Sequence, residues 1–140
     1  MFLSLIRIAV VVLLSFPVAS ACVCAYTPSV AESFSEATVI FTGTVIGRGK
    51  YGSWLRVDKS WKGAPSRTIY LFTGNSRNDC DPWFGKRGER WLVYAQLTPL
   101  YRYQDSKVPY TQKLMAHGCD RTTLLVGAEE DLRVLAILPR

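Results

Sequence analysis

Hydrophobic and polar residues alternate with one period early in the chain and with another through its middle. After Thr27-Pro28-Ser29, the apolar positions Val30, Phe34 and Ala37 recur at helical spacing, with Pro28 and Ser29 as start signals, so a short helix is predicted over residues 30–37. From Thr38 the chain becomes β-branched and runs as a strand to Ile46, closed by Gly47, with Gly43 marking a bend or bulge. Residues 54–61 alternate, placing Leu55, Val57 and Trp61 on one face and Arg56, Asp58 and Ser60 on the other. The strand stops at the turn Lys62-Gly63-Ala64-Pro65. Residues 67–73 make a third strand, stopped by Gly74-Asn75. Residues 90–97 make a fourth, apolar on both faces and therefore central. Tyr110 to His117 supplies a fifth. The tail, residues 128–138, reads as a helix with acidic residues in its first turn and a stripe of Leu132, Leu135, Ala136 and Leu138. Residues 74–89 and 98–109 carry no regular pattern.

Short strands with little helix between them predict an all-β fold with small helices. Five strands, an early short helix and a C-terminal helix suit a small closed Greek-key barrel. The chain of 140 residues has room for one such domain, and its first stretch lies outside it. Arg7 gives a positive start, Ile8 to Phe16 an apolar run, Pro17 a break, and Ala19-Ser20-Ala21 the small residues of a signal-peptidase site. That apolar run is nine residues long, well short of the ~20 that a membrane span requires. Residues 1–21 are therefore expected to be a cleaved signal peptide and residues 22–140 the domain, secreted to an extracellular or periplasmic space without a membrane span.

Export changes how the cysteines and the charge are read. The four cysteines, at 22, 24, 80 and 119, are an even set bound for an oxidising compartment, which favours two disulfides. One intervening residue cannot readily bring the Cβ atoms of Cys22 and Cys24 to the ~3.8 Å of a relaxed bridge. Both should then reach into the body, one to Cys80 and one to Cys119. The net charge of +6 includes Arg7, so the exported part carries +5. A basic balance suits nucleic acid, anionic lipid or an acidic partner, and export argues against nucleic acid. Part of the excess lies between Arg77 and Arg90, a segment that reads as a solvated loop.

Little catalytic chemistry is available. His117 is the only histidine, two residues before Cys119, and reads as structural, so no nucleophile has an obvious base. One histidine with four oxidised cysteines cannot make a zinc site. The acidic groups Asp79/Asp81 and Glu129/Glu130/Asp131 fall in a basic loop and at a helix start, where they read as solvated. Gly43, Gly47 and Gly49 have no Gly-Lys-Ser/Thr behind them and make no phosphate loop. The expectation is a monomeric binding or inhibitory module with no cofactor, not an enzyme.

The unusual feature is the N-terminus. Cleavage after Ala21 makes Cys22 residue one, with a free α-amine whose ordinary pKa of about 7.7–8 leaves a useful neutral fraction near pH 7. Cys22-x-Cys24 is followed by Phe41-Thr42-Gly43, Trp61-Lys62-Gly63 and Ile69 to Thr73 leading to Cys80, then by Trp91-Leu92-Val93-Tyr94 and His117-Gly118-Cys119. In this order and spacing the chain resembles the N-terminal, netrin-like inhibitory domain of tissue inhibitors of metalloproteinases. Its compact, single-domain form points to a bacterial relative. The resemblance implies an OB-like five-stranded barrel with Cys22–Cys80 and Cys24–Cys119 bridges. It also implies that the Cys22 amine and carbonyl chelate the zinc of a target metalloprotease and that the Val23 side chain enters the adjoining pocket. Cys24, Ala25, Tyr26, Asn78 and Asp79 would flank the contact edge. The rival readings are an extracytoplasmic netrin-like binding module without inhibitory activity, and a lipoprotein, since Ala19-Ser20-Ala21-Cys22 resembles a lipobox that would place a lipid anchor on Cys22.

Overall fold

The computed structural model describes residues 24–73, 84–99 and 112–139. Helix α1, Val30–Glu36, starts where the sequence signals it. The Ser29 hydroxyl accepts from the Glu32 N–H, and the Glu32 carboxylate accepts from the Ser29 N–H, a capping box that satisfies two donors left open by the first turn. The strands are β1 (Val39–Arg48), β2 (Gly52–Lys62), β3 (Thr68–Phe72), β4 (Arg90–Pro99), β5 (Gln112–Met115) and the two-residue β6 (Thr123–Leu124). A 3₁₀ turn at Leu125–Gly127 leads into α2, Glu129–Leu135.

β1 pairs antiparallel with both β2 and β4, β2 pairs with β3, β3 runs parallel to β5, and β5 pairs with β4. The ring of five strands therefore closes into a barrel, and β6 adds a short ladder outside β4. This is the all-β barrel with two small helices that the alternation predicts, in an OB-like strand order. β2 and β4 run past their sequence signals because cross-strand pairing extends beyond the apolar alternation, whereas β3 and β5 are shorter than the predicted residues 67–73 and 110–117.

Two cores flank one layer of sheet. Phe41, Val45, Leu55, Leu71, Trp91, Val93 and Ala95 fill the barrel interior together with Phe84 and Ala116. On the outer face, Ile40, Leu92 and Tyr94 pack with Val30 and Ala37 at the two ends of α1, with Trp61, and with Ala128 and Leu135 of the tail. Both faces of β4 are thus buried, as its continuous apolar run requires.

Trp61 departs from the expected pattern. It is buried at 7% exposure, but on the outer face with the helices and not beside Leu55 and Val57. The reason is the β1–β2 register, which pairs Gly43 with Val57 and Thr42 with Lys59, skipping Asp58. One extra residue reverses the in–out parity of the rest of the strand. The register shift falls at Thr42/Gly43, where the sequence marks a bend. A second skip places Trp61 itself opposite no single residue, between Ser60 and Lys62.

The tail helix also differs in part. Leu135 is buried and Leu132 and Leu138 pack against the same outer cluster, whereas Ala136 is exposed on the solvent side. No helix among the described residues is long and apolar enough to cross a membrane.

Candidate functional site: the N-terminal edge

Cys24 is bonded to Cys119, with Cα atoms 5.7 Å apart, the pairing that the resemblance implies. The bridge ties the start of the described chain to the turn that follows β5. Its partner turn is built on Asp120, whose carboxylate accepts from the His117 N–H at 2.7 Å and the Thr122 N–H at 3.0 Å. Burial pushes the Asp120 carboxyl above the usual aspartate range, while these hydrogen bonds and the nearby His117 pull the other way. His117 thus sits within a structural turn, as its position beside Cys119 suggests.

Beyond the bridge the chain is exposed at Ala25, Tyr26 and Thr27. Tyr26 is 63% exposed, yet its position is held. Its hydroxyl lies 2.8 and 2.7 Å from the two oxygens of Glu32, to which it donates. Hydrogen bonds from Ser29, and then from Tyr26, hold the Glu32 carboxyl at about 2, well under its ordinary 4.5. The exposed Tyr26 ring, two residues from the Cys24 bridge, is thus oriented by the same carboxylate that caps α1.

A second restraint comes from a group that sequence reading missed. Asp131 lies in the first turn of α2 and is read from sequence as solvated, yet it is 4% exposed. Arg121 grips it with two bonds of 2.7 Å, Nε to Oδ1 and Nη2 to Oδ2, and Tyr94 donates to Oδ1 at 2.9 Å. The remaining arm of Arg121 donates from Nη1 to the Pro28 carbonyl at 3.2 Å. Burial, followed by the Asp131 bond and charge, pushes the Tyr94 hydroxyl well above the ordinary tyrosine range. The Asp131 bond keeps Arg121 more firmly protonated than a free guanidinium. β4, the turn after Cys119 and α2 are thus joined through the Asp131 carboxylate, and the segment before α1 is joined to them through Arg121. Only the fold brings these residues together, since Tyr94 and Asp131 are 37 positions apart.

Of the residues expected at the edge, Cys24, Ala25 and Tyr26 are described and contiguous. Cys22, Val23, Asn78, Asp79 and the Cys22–Cys80 bridge lie outside the described residues, as do residues 1–21 and the Asp79/Asp81 pair. Among the described residues no group of three or more His, Cys, Asp or Glu side chains converges to hold a metal. Compared with models of known protein families and with curated protein sequences, the chain matches none.

Proposed function

We propose that this chain is an extracytoplasmic inhibitor module that binds a zinc metalloprotease through its N-terminal edge. The observation that carries the reading is the Cys24–Cys119 bridge, which pins an exposed N-terminal segment to a closed five-stranded barrel. A pre-ordered edge binds with less loss of conformational entropy than a free tail. Signal cleavage after Ala21 would then present the Cys22 amine and carbonyl to the protease zinc. A neutral amine bound at ~2.0–2.1 Å would displace the water that the protease uses as its nucleophile. Val23 would enter the adjoining pocket, with Ala25 and the oriented Tyr26 ring beside it.

The test is inhibition of a panel of zinc proteases by the exported protein, with its N-terminus read by mass spectrometry. One alanine added before Cys22 moves the amine off the metal and leaves both predicted bridges possible. Carbamylation removes the amine lone pair and should act in the same way. Val23→Gly should weaken inhibition by roughly 1.5–3 kcal/mol, the value of a buried valine side chain. Inhibition that survives the added alanine would rule out chelation. A lipid on Cys22, or no inhibition at micromolar concentration, would leave a binding module of another kind.

A further inference from the structure

The two helices cover the outer barrel face over Ile40, Leu92 and Tyr94 and leave that of β2 and β3 exposed at Trp54, Arg56 and Thr68. Alternation along β2 sends Leu55 into the barrel and Trp54, Arg56 and Asp58 outward. Trp54 is 44% exposed, an uncommon state for an indole, most of whose surface folding normally buries. The ring is nevertheless held. It packs against Tyr70, its partner on β3, with centroids 4.8 Å apart and planes at 58°. Tyr70 is itself fixed, because its hydroxyl accepts from the Tyr51 N–H at 3.2 Å where the β1–β2 turn ends.

On its other side Trp54 pairs with Gly47 of β1, just past a bulge. A Cβ on Gly47 would meet no atom within 4 Å, and its φ lies outside the left-handed region. Neither crowding nor backbone strain calls for glycine here. The missing side chain leaves a notch beside the indole, where a ligand can approach the backbone closely.

The next rung of the same face is polar. Arg56 stands opposite Thr44 on β1 and Thr68 on β3. Its side chain is 56% exposed, with Nε 3.5 Å from one oxygen of Asp58. The other Asp58 oxygen takes the Thr44 hydroxyl at 2.8 Å and lies 3.7 Å from Arg90 Nε. An ordered aromatic surface is thus followed, one side-chain repeat of about 7 Å along β2, by exposed donors and acceptors together.

We propose that this face binds a neutral oligosaccharide of β-linked pyranoses. Equatorial hydroxyls leave the two faces of such a ring to C–H groups, which stack on an indole, while the hydroxyls at its rim both donate and accept. One ring lies on Trp54 over the Gly47 notch, and hydroxyls further along the chain meet Arg56 and Thr68. Barrels of this kind bind oligonucleotides or oligosaccharides on the face of their second and third strands. Asp58 favours the saccharide, since a carboxylate supplies acceptors to hydroxyls and repels phosphate.

The experiment is an NMR titration of the ¹⁵N-labelled protein with cellohexaose, reading the Trp54 indole N–H, which is assigned from its loss in Trp54→Phe. Glucitol supplies hydroxyls without a ring face, and a thymidine hexanucleotide supplies stacking with phosphates. Cellohexaose should shift the Trp54 signal with saturation at millimolar concentration and leave the signals of the buried Trp61 and Trp91 in place. Trp54→Ala, followed through the Arg56 and Thr68 amides, should weaken binding roughly ten-fold by loss of the stacked ring. Gly47→Val should also weaken it, because the side chain fills the notch while open space spares the fold. A Trp54 signal unmoved by cellohexaose overturns the proposal. So does an equal response to glucitol, tighter binding of the hexanucleotide, or affinity unchanged in both variants. Because the readout involves neither Cys22 nor a protease, its failure is separate from failure of the inhibitory reading.

Discussion

Tyr94 Oη and Arg121 Nε converge on the same oxygen of Asp131, at 2.9 and 2.7 Å. The consequence is a buried carboxylate serving three elements at once, with Arg121 extending its hold to the Pro28 carbonyl. Removing one partner of such a group leaves the others buried and unpaired, which costs far more than loss of an exposed pair. Asp131→Ala should therefore lower stability by about 3–5 kcal/mol in urea unfolding. Glu130→Ala, whose carboxylate is exposed and 3.6 Å from Arg121, should cost no more than about 1 kcal/mol. Equal effects of the two would show that Asp131 is solvated after all.

The same group predicts a response to alkali. Burial raises the folded-state pKa of Tyr94 above its unfolded value near 10, so above that pH the native state binds more protons than the unfolded chain. Stability then falls as pH rises past about 10, and Tyr94→Phe should flatten that fall. A slope unchanged in Tyr94→Phe would assign alkaline unfolding to other groups.

At the acid end Glu32 sets an opposite slope. Its folded carboxyl titrates at about 2 and its ordinary value is 4.5, so its contribution is present above about pH 4.5 and is lost as pH falls toward 2. Carboxyl-detected NMR should find Glu32 ionised at pH 3, with Tyr26 still ordered against it. A midpoint near the ordinary value would mean that the capping box does not hold in solution.

The disulfide should be measurable as a stability term. Cys24 and Cys119 are separated by 95 positions, for which loop closure in the chain-entropy model gives about 4.7 kcal/mol. Replacing both with alanine should cost about 2–5 kcal/mol. Non-reducing peptide maps should find this bridge, together with Cys22–Cys80.

Two glycines separate backbone strain from crowding. Gly63 has φ of +71°, and a Cβ there would lie 2.7 Å from Val39 Cγ1 and 2.9 Å from the Thr38 carbonyl. Gly88 has φ of +91° but open space around the same atom. Each alanine variant should lose about 1–2 kcal/mol for the left-handed conformation, and Gly63→Ala should lose more because the turn must also move. Equal losses would mean that the Lys62-Gly63 turn relaxes freely.

Trp61 tests the division into two cores. Trp61→Ala should destabilise by about 3–5 kcal/mol. Its effect should couple with Leu135→Ala, in the same outer cluster, and should add to Val45→Ala in the barrel interior. The reverse pattern would return Trp61 to the inner face.

Local sequence names both helices and the five barrel strands, but neither β6 nor the 3₁₀ turn after it. Pro28 and Ser29 name the start of α1, alternation names β2, and the two-sided apolar run of β4 names a central strand. These are properties of neighbouring residues, and local chemistry decides them. The order and position of the cysteines, read through a resemblance, supplied the Cys24–Cys119 pairing. Tertiary structure alone decided where Trp61 and Asp131 go. A single skipped residue at Asp58 reverses strand parity, and alternation cannot report a skip that exists only against a partner strand. Nothing near Asp131 distinguishes it from Glu129 or Glu130. What buries it is a guanidinium 10 positions before it and a phenol 37 before it, brought to one place by closure of the barrel.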